Sequence, residues 1–568
     1  MAYIIQKKRN NNIYYYLAES ARINGKPRVK IIKYLGTSDT IVRNTTVAVD
    51  IPKPEFSRVF EFGAIIALYD IAERIGIRAI IEKHVSKRNQ GLAVADTILL
   101  AAINRAIMPK SKNGFYEWYE NTVLPRLFTN ANKTNLSSQG FWNNMAQLDQ
   151  TTIREIEDEI VKIVVKKYEI NTECLLFDNT NFYTYIDTDT QSTYAQRGHS
   201  KEKRSDLKII GLSLMVSPDN NIPLFHEVYP GNTNDAKRFS EIIPKLKRRC
   251  KTLGLGECGI TLVFDRGNNS DNNIEDVLGE EPLQFHFVGG VKQNQCRELL
   301  QIPLKDMGYL QSGKLKKTRA YRTSKHIFGN VFTVVMTFNP ELYKSQIRGV
   351  KNNIKKCAAR LRELSERLDK WRTGEITKGR RPSKSGVNKQ VSSILSAEHM
   401  KKVFYCTVAE ENGFISLKHE FDYEQFSCLK RNSLGRSVLF TDHDDWTNEQ
   451  IVGAYRSQYH VEEAFKRMKD TDHLTFRPIF HFTDSKIVVH AFYCVLAFLL
   501  SSLLNRELAD IGCDISINTM LDSFQKVKEV ITYFPKNCRC KNSKVISYSG
   551  MDGIAQIFFE KYKLMPEL

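Results

Sequence analysis

What this chain has too little of is acid. It carries 64 Asp and Glu against 83 Lys and Arg, a formal net charge of +19 over 568 residues. An excess of that size favours a polyanionic partner, either nucleic acid or an anionic membrane surface, although a generally basic soluble protein shows it too. Long apolar runs are scarce. The longest, Ile487 to Leu504, holds His490 near its start and two serines near its end, which is borderline for a membrane span. It reads as a buried core helix, and no membrane association is expected. The start, Met1 to Arg9, lacks the apolar core of a secretory leader. Paired cysteines are missing as well. The 11 cysteines are scattered, and Cys538-Arg539-Cys540 has one intervening residue where a zinc knuckle has two. Reduced thiols in a cytoplasm are expected, with neither structural zinc nor a disulfide framework. There is no internal repeat.

What is present is an ordinary globular composition, 42% hydrophobic and 10% aromatic, on a chain long enough for three or four domains. Residues 1–50 read as a small β-rich unit. Ile13–Glu19 and Arg28–Leu35 are strands joined by a turn at Asn24-Gly25-Lys26-Pro27. Residues 55–165 read as helical, with helix-period apolar residues over 63–77, 92–107 and 151–168; a DNA-binding domain and a plain bundle remain equally open. From 170 to 304 the pattern becomes mixed α/β. Glu173-Cys174-Leu175-Leu176-Phe177-Asp178 and Gly259-Ile260-Thr261-Leu262-Val263-Phe264-Asp265 are short buried strands that each end in aspartate. Further strands are expected at 207–216, 222–228 and 284–292, with a helix near 236–253. Residues 305–445 look like a separate insertion, with strands at 331–338, 403–408 and 437–441. A basic helical segment lies at 343–371, followed by a mobile loop at 378–386. From 446 to 568 the chain is helical again.

Within that last part, Ala454 to Lys469 reads as one helix. It places Tyr455, Tyr459, Glu462, Lys466 and Lys469 on one face, at steps of three and four. A carboxylate flanked by aromatics and lysines suits a divalent cation beside a phosphate backbone, but a structural helix with a solvated basic face gives the same pattern. Asp178 and Asp265 end strands, and ligands gather at strand C-termini in open α/β sheets. Glu462 would approach from the helix. Three hard oxygen ligands suit Mg²⁺ or Mn²⁺, and a pair of such ions can drive phosphodiester chemistry without a protein nucleophile. Asp187, Asp189, Asp206, Asp271 and Glu463 are nearby decoys. Glu463 is turned about 100° from Glu462 on a helix.

These residues resemble a bacterial insertion-sequence transposase of the DDE type. The chain is most similar to the branch whose third carboxylate lies in a Tyr-x2-Arg-x3-Glu-x6-Lys signature. Tyr455, Glu462 and Lys469 match it; Gln458 stands at the Arg position. Gln196 to Leu207 and the loop Tyr229-Pro230-Gly231-Asn232-Thr233-Asn234-Asp235 resemble further stretches of the family. The resemblance implies a ribonuclease H-like catalytic core interrupted by a β-rich insertion before the Glu, with Asp178, Asp265 and Glu462 as catalytic metal ligands at a two-metal Mg²⁺ site. It implies binding of double-stranded DNA at terminal inverted repeats, strand cleavage by water, and transfer of the freed 3′-hydroxyl into target DNA by a dimer on paired ends. Tyr455, Gln458 and Lys469 would hold the phosphate near the cut, and His199, Lys201, Lys203 and Arg204 would contact DNA near the first carboxylate. A non-catalytic DNA-binding protein derived from a transposase, and a nuclease on the same fold, stay open beside it.

Overall fold

The computed structural model describes residues 2–10, 12–23, 26–46, 53–86, 91–186, 189–255, 259–535 and 543–565. The Asn24-Gly25 part of the first turn, Asp187 and Cys538-Arg539-Cys540 lie outside them. The eight described cysteines are free.

The chain forms two compact units. The smaller comprises residues 1–60 and 528–550, so part of the expected C-terminal region belongs with the N-terminus. It has two three-stranded sheets. One is Ala2–Arg9, Asn12–Ile23 and Lys26–Gly36, where the first strand is additional to the two expected. In the other, Lys528–Tyr533 lies between Lys544–Tyr548 and Phe56–Glu61. Glu55 N–H donates to the Tyr533 carbonyl at 2.9 Å, and the Phe56 and Tyr533 rings stack at 4.6 Å. These contacts tie together residues nearly 500 positions apart, which no local pattern announces.

The larger unit is built on a nine-stranded mixed sheet. Its strands in chain order are β1 (Cys174–Tyr183), β2 (Ile209–Val216), β3 (Pro223–Pro230), β4 (Ile260–Phe264), β5 (Phe285–Val291), β6 (Gly308–Tyr309), β7 (Arg319–Ile327), β8 (Asn330–Phe338) and β9 (Arg436–Thr441). Across the sheet the order is β6-β7-β8-β9-β5-β4-β1-β2-β3. β1 is antiparallel to β2, and β2 to β3; β4 and β5 run parallel to β1. The helix Asp235–Thr252 connects β3 to β4. An antiparallel meander followed by parallel strands on its other side fits a ribonuclease H-like fold. β2 and β4 are buried at every position, as their largely apolar runs, each with one hydrogen-bonded hydroxyl at Ser213 and Thr261, suit strands covered on both faces.

Two expectations need correction here. Residues 305–445 are not set apart as a β-rich insertion. β7, β8 and β9 pair continuously with β5 and extend the central sheet. The piece that leaves the sheet, residues 340–434, is mainly helical. The 33-residue helix Pro340–Arg372, the helices Lys384–Ile394 and Tyr423–Asn432, and the hairpin Phe404–Glu411/Phe414–Phe421 close on a core of Leu361, Val387, Met400 and Val403. Of the loop expected at 378–386, residues 384–386 instead open a helix. Ser383 caps the helix that begins at Lys384, and the Arg381 guanidinium lies 4.8 Å from the Phe414 ring centroid.

The helices before β1 share the larger unit with the long helix Asp484–Asp510, which packs on β3 and on Val94–Ile107. That helix is long and apolar enough to cross a membrane, and its apolar stretch is fully buried inside the unit. His490 within it is satisfied by the Phe476 carbonyl at 2.7 Å and the Tyr493 hydroxyl at 2.5 Å.

The Tyr229–Asp235 loop owes its glycine to a close approach. A Cβ on Gly231 would lie 2.1 Å from the Ile209 carbonyl oxygen, a backbone atom that cannot swing aside. Gly231 N–H also donates to the Tyr194 carbonyl at 3.1 Å. Gly231→Ala should therefore destabilise the larger unit by about 2–3 kcal/mol, within the upper range for point variants. A thermal melt within 1 °C of the parent would contradict the clash.

Candidate active site

Asp178 stands in the middle of β1, not at its end. The strand runs five residues further, because Asn179 and Thr180 stay in register with β2. Asn179 faces the interior, where its Oδ1 accepts from Ser213 Oγ at 2.7 Å and Ser213 in turn accepts from Arg238 Nε at 3.0 Å. Alternation then puts Asp178 and Thr180 together on the opposite face. Asp265 directly follows β4, as expected, and its Oδ1 accepts the Arg266 N–H at 2.7 Å.

The third element is two helices rather than one. Asn448–Ser457 starts with a capping box between Thr447 and Gln450, and Tyr459–Met468 follows after a joint at Gln458. At the joint Gln458 N–H bonds the Tyr455 carbonyl and Val461 N–H the Gln458 carbonyl, both at 3.2 Å and both three residues apart. Three-residue turns advance about 120° per residue rather than 100°, which shifts the faces expected of one continuous helix. The second helix buries Val461, Ala464, Phe465 and Met468 on one stripe and leaves Glu462 and Lys466 exposed.

Asp178, Asp265 and Glu462 line one open cleft of about 700 Å³, together with Thr180, Lys201, Lys466 and Lys469. Asp235, the first residue of its helix, and Asp470, which accepts from Asn518 at 2.9 Å, add a fourth and a fifth carboxylate. Sequence reasoning passed over both as site members, although the loop containing Asp235 was singled out and Asp470 directly follows Lys469. Glu463 instead pairs with Arg467 at 3.0 Å, and Asp206 with Arg204 at 2.7 Å.

The electrostatics of the cleft suit a cation. Burial, with Asp265 and Asp235 adding, pushes the Asp178 carboxyl up to about 7 against the opposing pull of Lys201 and the Asn179 N–H. Burial and Asp265 also raise Glu462, which Lys201 again opposes. Carboxylates raised by burial and by one another, against the pull of Lys201, are stabilised by a further cation, and hard oxygen donors of this kind fit Mg²⁺ or Mn²⁺. A different group has ligand atoms all within 4.8 Å of one another, namely His286, Asp442 and His443. It sits at the opposite ends of β4 and β5. Its atoms already bond His286 to Asp442 at 2.7 Å and His443 to Thr261 at 2.8 Å.

The remaining candidates divide. Tyr455 donates to Asp265 Oδ1 at 3.3 Å, with its ring against Gly290, where a Cβ would fall 2.5 Å from the hydroxyl oxygen. Lys469 donates to Thr180 Oγ1 at 2.8 Å, one pleat from Asp178, and lies 3.8 Å from Glu202. Glu202 is held by Arg477 at 2.7 Å. Lys201 bonds the Asn179 carbonyl at 2.5 Å and faces the cleft. Gln458 is buried at the helix joint and does not line the cleft. Tyr459 is 57% exposed, beside the His460 ring. His199 and Lys203 are exposed beyond the cleft, and Arg204 is bonded to Asp206 through two nitrogens.

A mixed α/β sheet carrying carboxylates at its centre, at the end of an adjacent strand and on a following helix defines a phosphoryl-transfer-like scaffold. The chain belongs to the transposase DDE domain family, whose profile matches residues 171–487. That span holds all three carboxylates. No curated protein matches the chain. Among solved structures it is similar to a piggyBac transposase synaptic complex with hairpin DNA, at 10% identity and a TM-score of 0.38, over 81% of this chain and 78% of that one. It is also similar to a Mos1 transposase paired-end complex with the left transposon end, at 14% identity and a TM-score of 0.14, over 35% of this chain and 60% of that one. Likenesses of that size carry no weight for the site.

Proposed function

We propose that this protein is a DNA transposase of the bacterial insertion-sequence type, in the branch with the Tyr-x2-Arg-x3-Glu-x6-Lys signature, and that it cuts and joins DNA at the ends of its own element. The observation that carries the reading is the common cleft of Asp178, Asp265 and Glu462 on a family-matched segment. These three residues hold the metal, and Asp235 adds negative charge beside them. When bound, Mg²⁺ or Mn²⁺ supplies activation of the attacking oxygen and stabilisation of the leaving one. Tyr455 fixes one oxygen of Asp265 and so the direction in which the other points. Lys469, held between Thr180 and Glu202, and Lys466 beside it present ammonium groups to a backbone phosphate, a role that suits a compact point charge. Lys201 bridges the electrostatics of Asp178 and Glu462. The partners are double-stranded DNA at the terminal inverted repeats and at the target, engaged by a dimer at the nucleoid in the cytoplasm.

The test is a plasmid carrying the DNA that flanks the gene, incubated with the protein in Mg²⁺ or in EDTA. Breaks at the element boundaries are expected in Mg²⁺ alone, with joined products on longer incubation. Breaks without joining would make the protein a nuclease on this fold. DNA retarded but uncut in both conditions would make it a non-catalytic binder.

A further inference from the structure

A second concave site lies beyond the cleft in the larger unit, and its charge is one-sided. Arg105, Lys112, Trp142, Phe480, His481 and Tyr493 line most of a cavity of about 350 Å³, and among the described residues its walls contain no carboxylate. Arg105 is only 8% exposed, and its described partners, the Arg477 carbonyl at 3.3 Å and the Tyr493 side chain, are both uncharged. The Lys112 ammonium bonds the His481 ring at 3.2 Å. Lys486, 5% exposed, lies with its ammonium 5.6 Å from the Trp142 ring centroid. Asp484, two residues earlier, is taken up by Ser192 and Thr193. Burial, with Arg105 and Lys486 adding, pushes the Lys112 ammonium down to about 7. Buried charges in folded proteins are ordinarily paired. Three basic side chains that converge on and beside one cavity, with no carboxylate among the described residues of its walls, describe a site that an anion would complete by holding them charged.

The neighbourhood says which anion. Phe480 and Phe482 are each 52% exposed beside the cations, and Phe480 stacks on Tyr185 at 5.5 Å. Exposed aromatics interleaved with basic groups suit nucleic acid. The pocket also continues from the cleft. Arg477 donates to the Lys469 carbonyl at 2.6 Å, and Tyr185 N–H, on the continuation of β1, donates to the Ile479 carbonyl at 3.0 Å. Asp178 and Tyr185 are seven positions apart, at most about 23 Å of extended chain. That is less than one turn of duplex, about 34 Å.

We infer that this pocket seats a backbone phosphate of the same DNA whose scissile bond occupies the carboxylate cleft. The inference rests on the DNA reading proposed above. It is tested on the full chain by measuring affinity for an element-end duplex from 0.05 to 0.3 M NaCl, for the parent, Lys112→Gln and Lys112→Gln/Lys486→Gln. Loss of the seated phosphate should make the log–log salt slope of the double variant shallower by about 0.9, equally for end and unrelated DNA. The DNA-free variants should melt no lower than the parent, because they shed like-charge repulsion. Parent-like slopes in both variants, with the parent binding DNA, would overturn the inference and leave the transposase reading intact. A parent that binds no DNA would sink both. In that case inorganic pyrophosphate, titrated against the melting temperature, would reveal a free-phosphate pocket if it raised the parent's melt but not the double variant's, and so would overturn the DNA assignment.

Discussion

Glu462→Gln is expected to lower Mg²⁺-dependent cleavage at least about 10³-fold while changing end-DNA affinity by less than about threefold. Glutamine keeps the length and the helix but removes the charge that a cation needs. At 1.36 kcal/mol per tenfold in rate, the loss corresponds to about 4 kcal/mol or more of barrier. Binding rests on lysine and arginine contacts to many phosphates, so it should survive. Glu463→Gln is the control: that carboxylate is held by Arg467 and turned from the cleft, so cleavage should stay within about twofold. The measurement is a single-turnover nicking rate on an element-end duplex at saturating protein. Normal cutting by Glu462→Gln with loss in Glu463→Gln would reverse the assignment. Loss of both binding and cutting by Glu462→Gln would instead make the residue part of the fold.

Asp265 was legible because a short apolar run closing in Phe264-Asp265-Arg266-Gly267 has one reading: the strand ends as its burial ends. Asp178 was legible as a candidate ligand but was read as the end of its strand, since the apolar run stops at Phe177. Asn179, Thr180 and Asn181 continue the strand in register with β2, where Ser213, itself bonded by Arg238, gives Asn179 a buried partner. Glu462 was set apart from Glu463 by helical phase, and the phase held locally although the helix breaks at Gln458. Tyr459 went astray for the same reason, as the tight joint turns it into solvent. Asp235 was hidden by its role as the opening residue of a helix, where an acid is ordinary on dipole grounds alone. The basic pocket draws Arg105, Lys112, His481 and Lys486 from segments hundreds of residues apart, so no spacing rule could assemble it. The strands of 319–338 and 436–441 could be read as strands. Their membership of the central sheet could not, because register across a helical excursion of about one hundred residues is set by pairing with β5 and not by local propensity.

The largest expected effect on stability lies away from the cleft, at Glu157. This carboxylate on the helix Gln150–Lys167 is buried between His226 of β3, 2.5 Å away, and Arg249 of the helix Asp235–Thr252. Burial alone would raise its pKa, but His226 and Arg249 more than reverse that and hold it below the ordinary glutamate range. Glu157→Ala leaves the Arg249 guanidinium, 4% exposed, with Asp158 as its remaining acidic partner. Removing one partner of a buried pair costs about 3–5 kcal/mol, and that is the expected loss of unfolding free energy near neutral pH. The sign with pH follows from the lowered pKa. The contribution is complete above the unfolded-state value of about 4.3 and disappears as pH falls through the folded-state value, so parent and variant should converge in acid. Glu157→Leu/Arg249→Met should recover much of the loss, because an apolar replacement no longer leaves a charge buried. Urea midpoints of the three proteins at pH 7, at pH 4 and at about pH 2 check this. A Glu157→Ala loss under about 1 kcal/mol at pH 7, or an undiminished difference far below pH 4, would mean that the helix is held to β3 by its apolar stripe of Ile153, Ile156 and Ile160 alone.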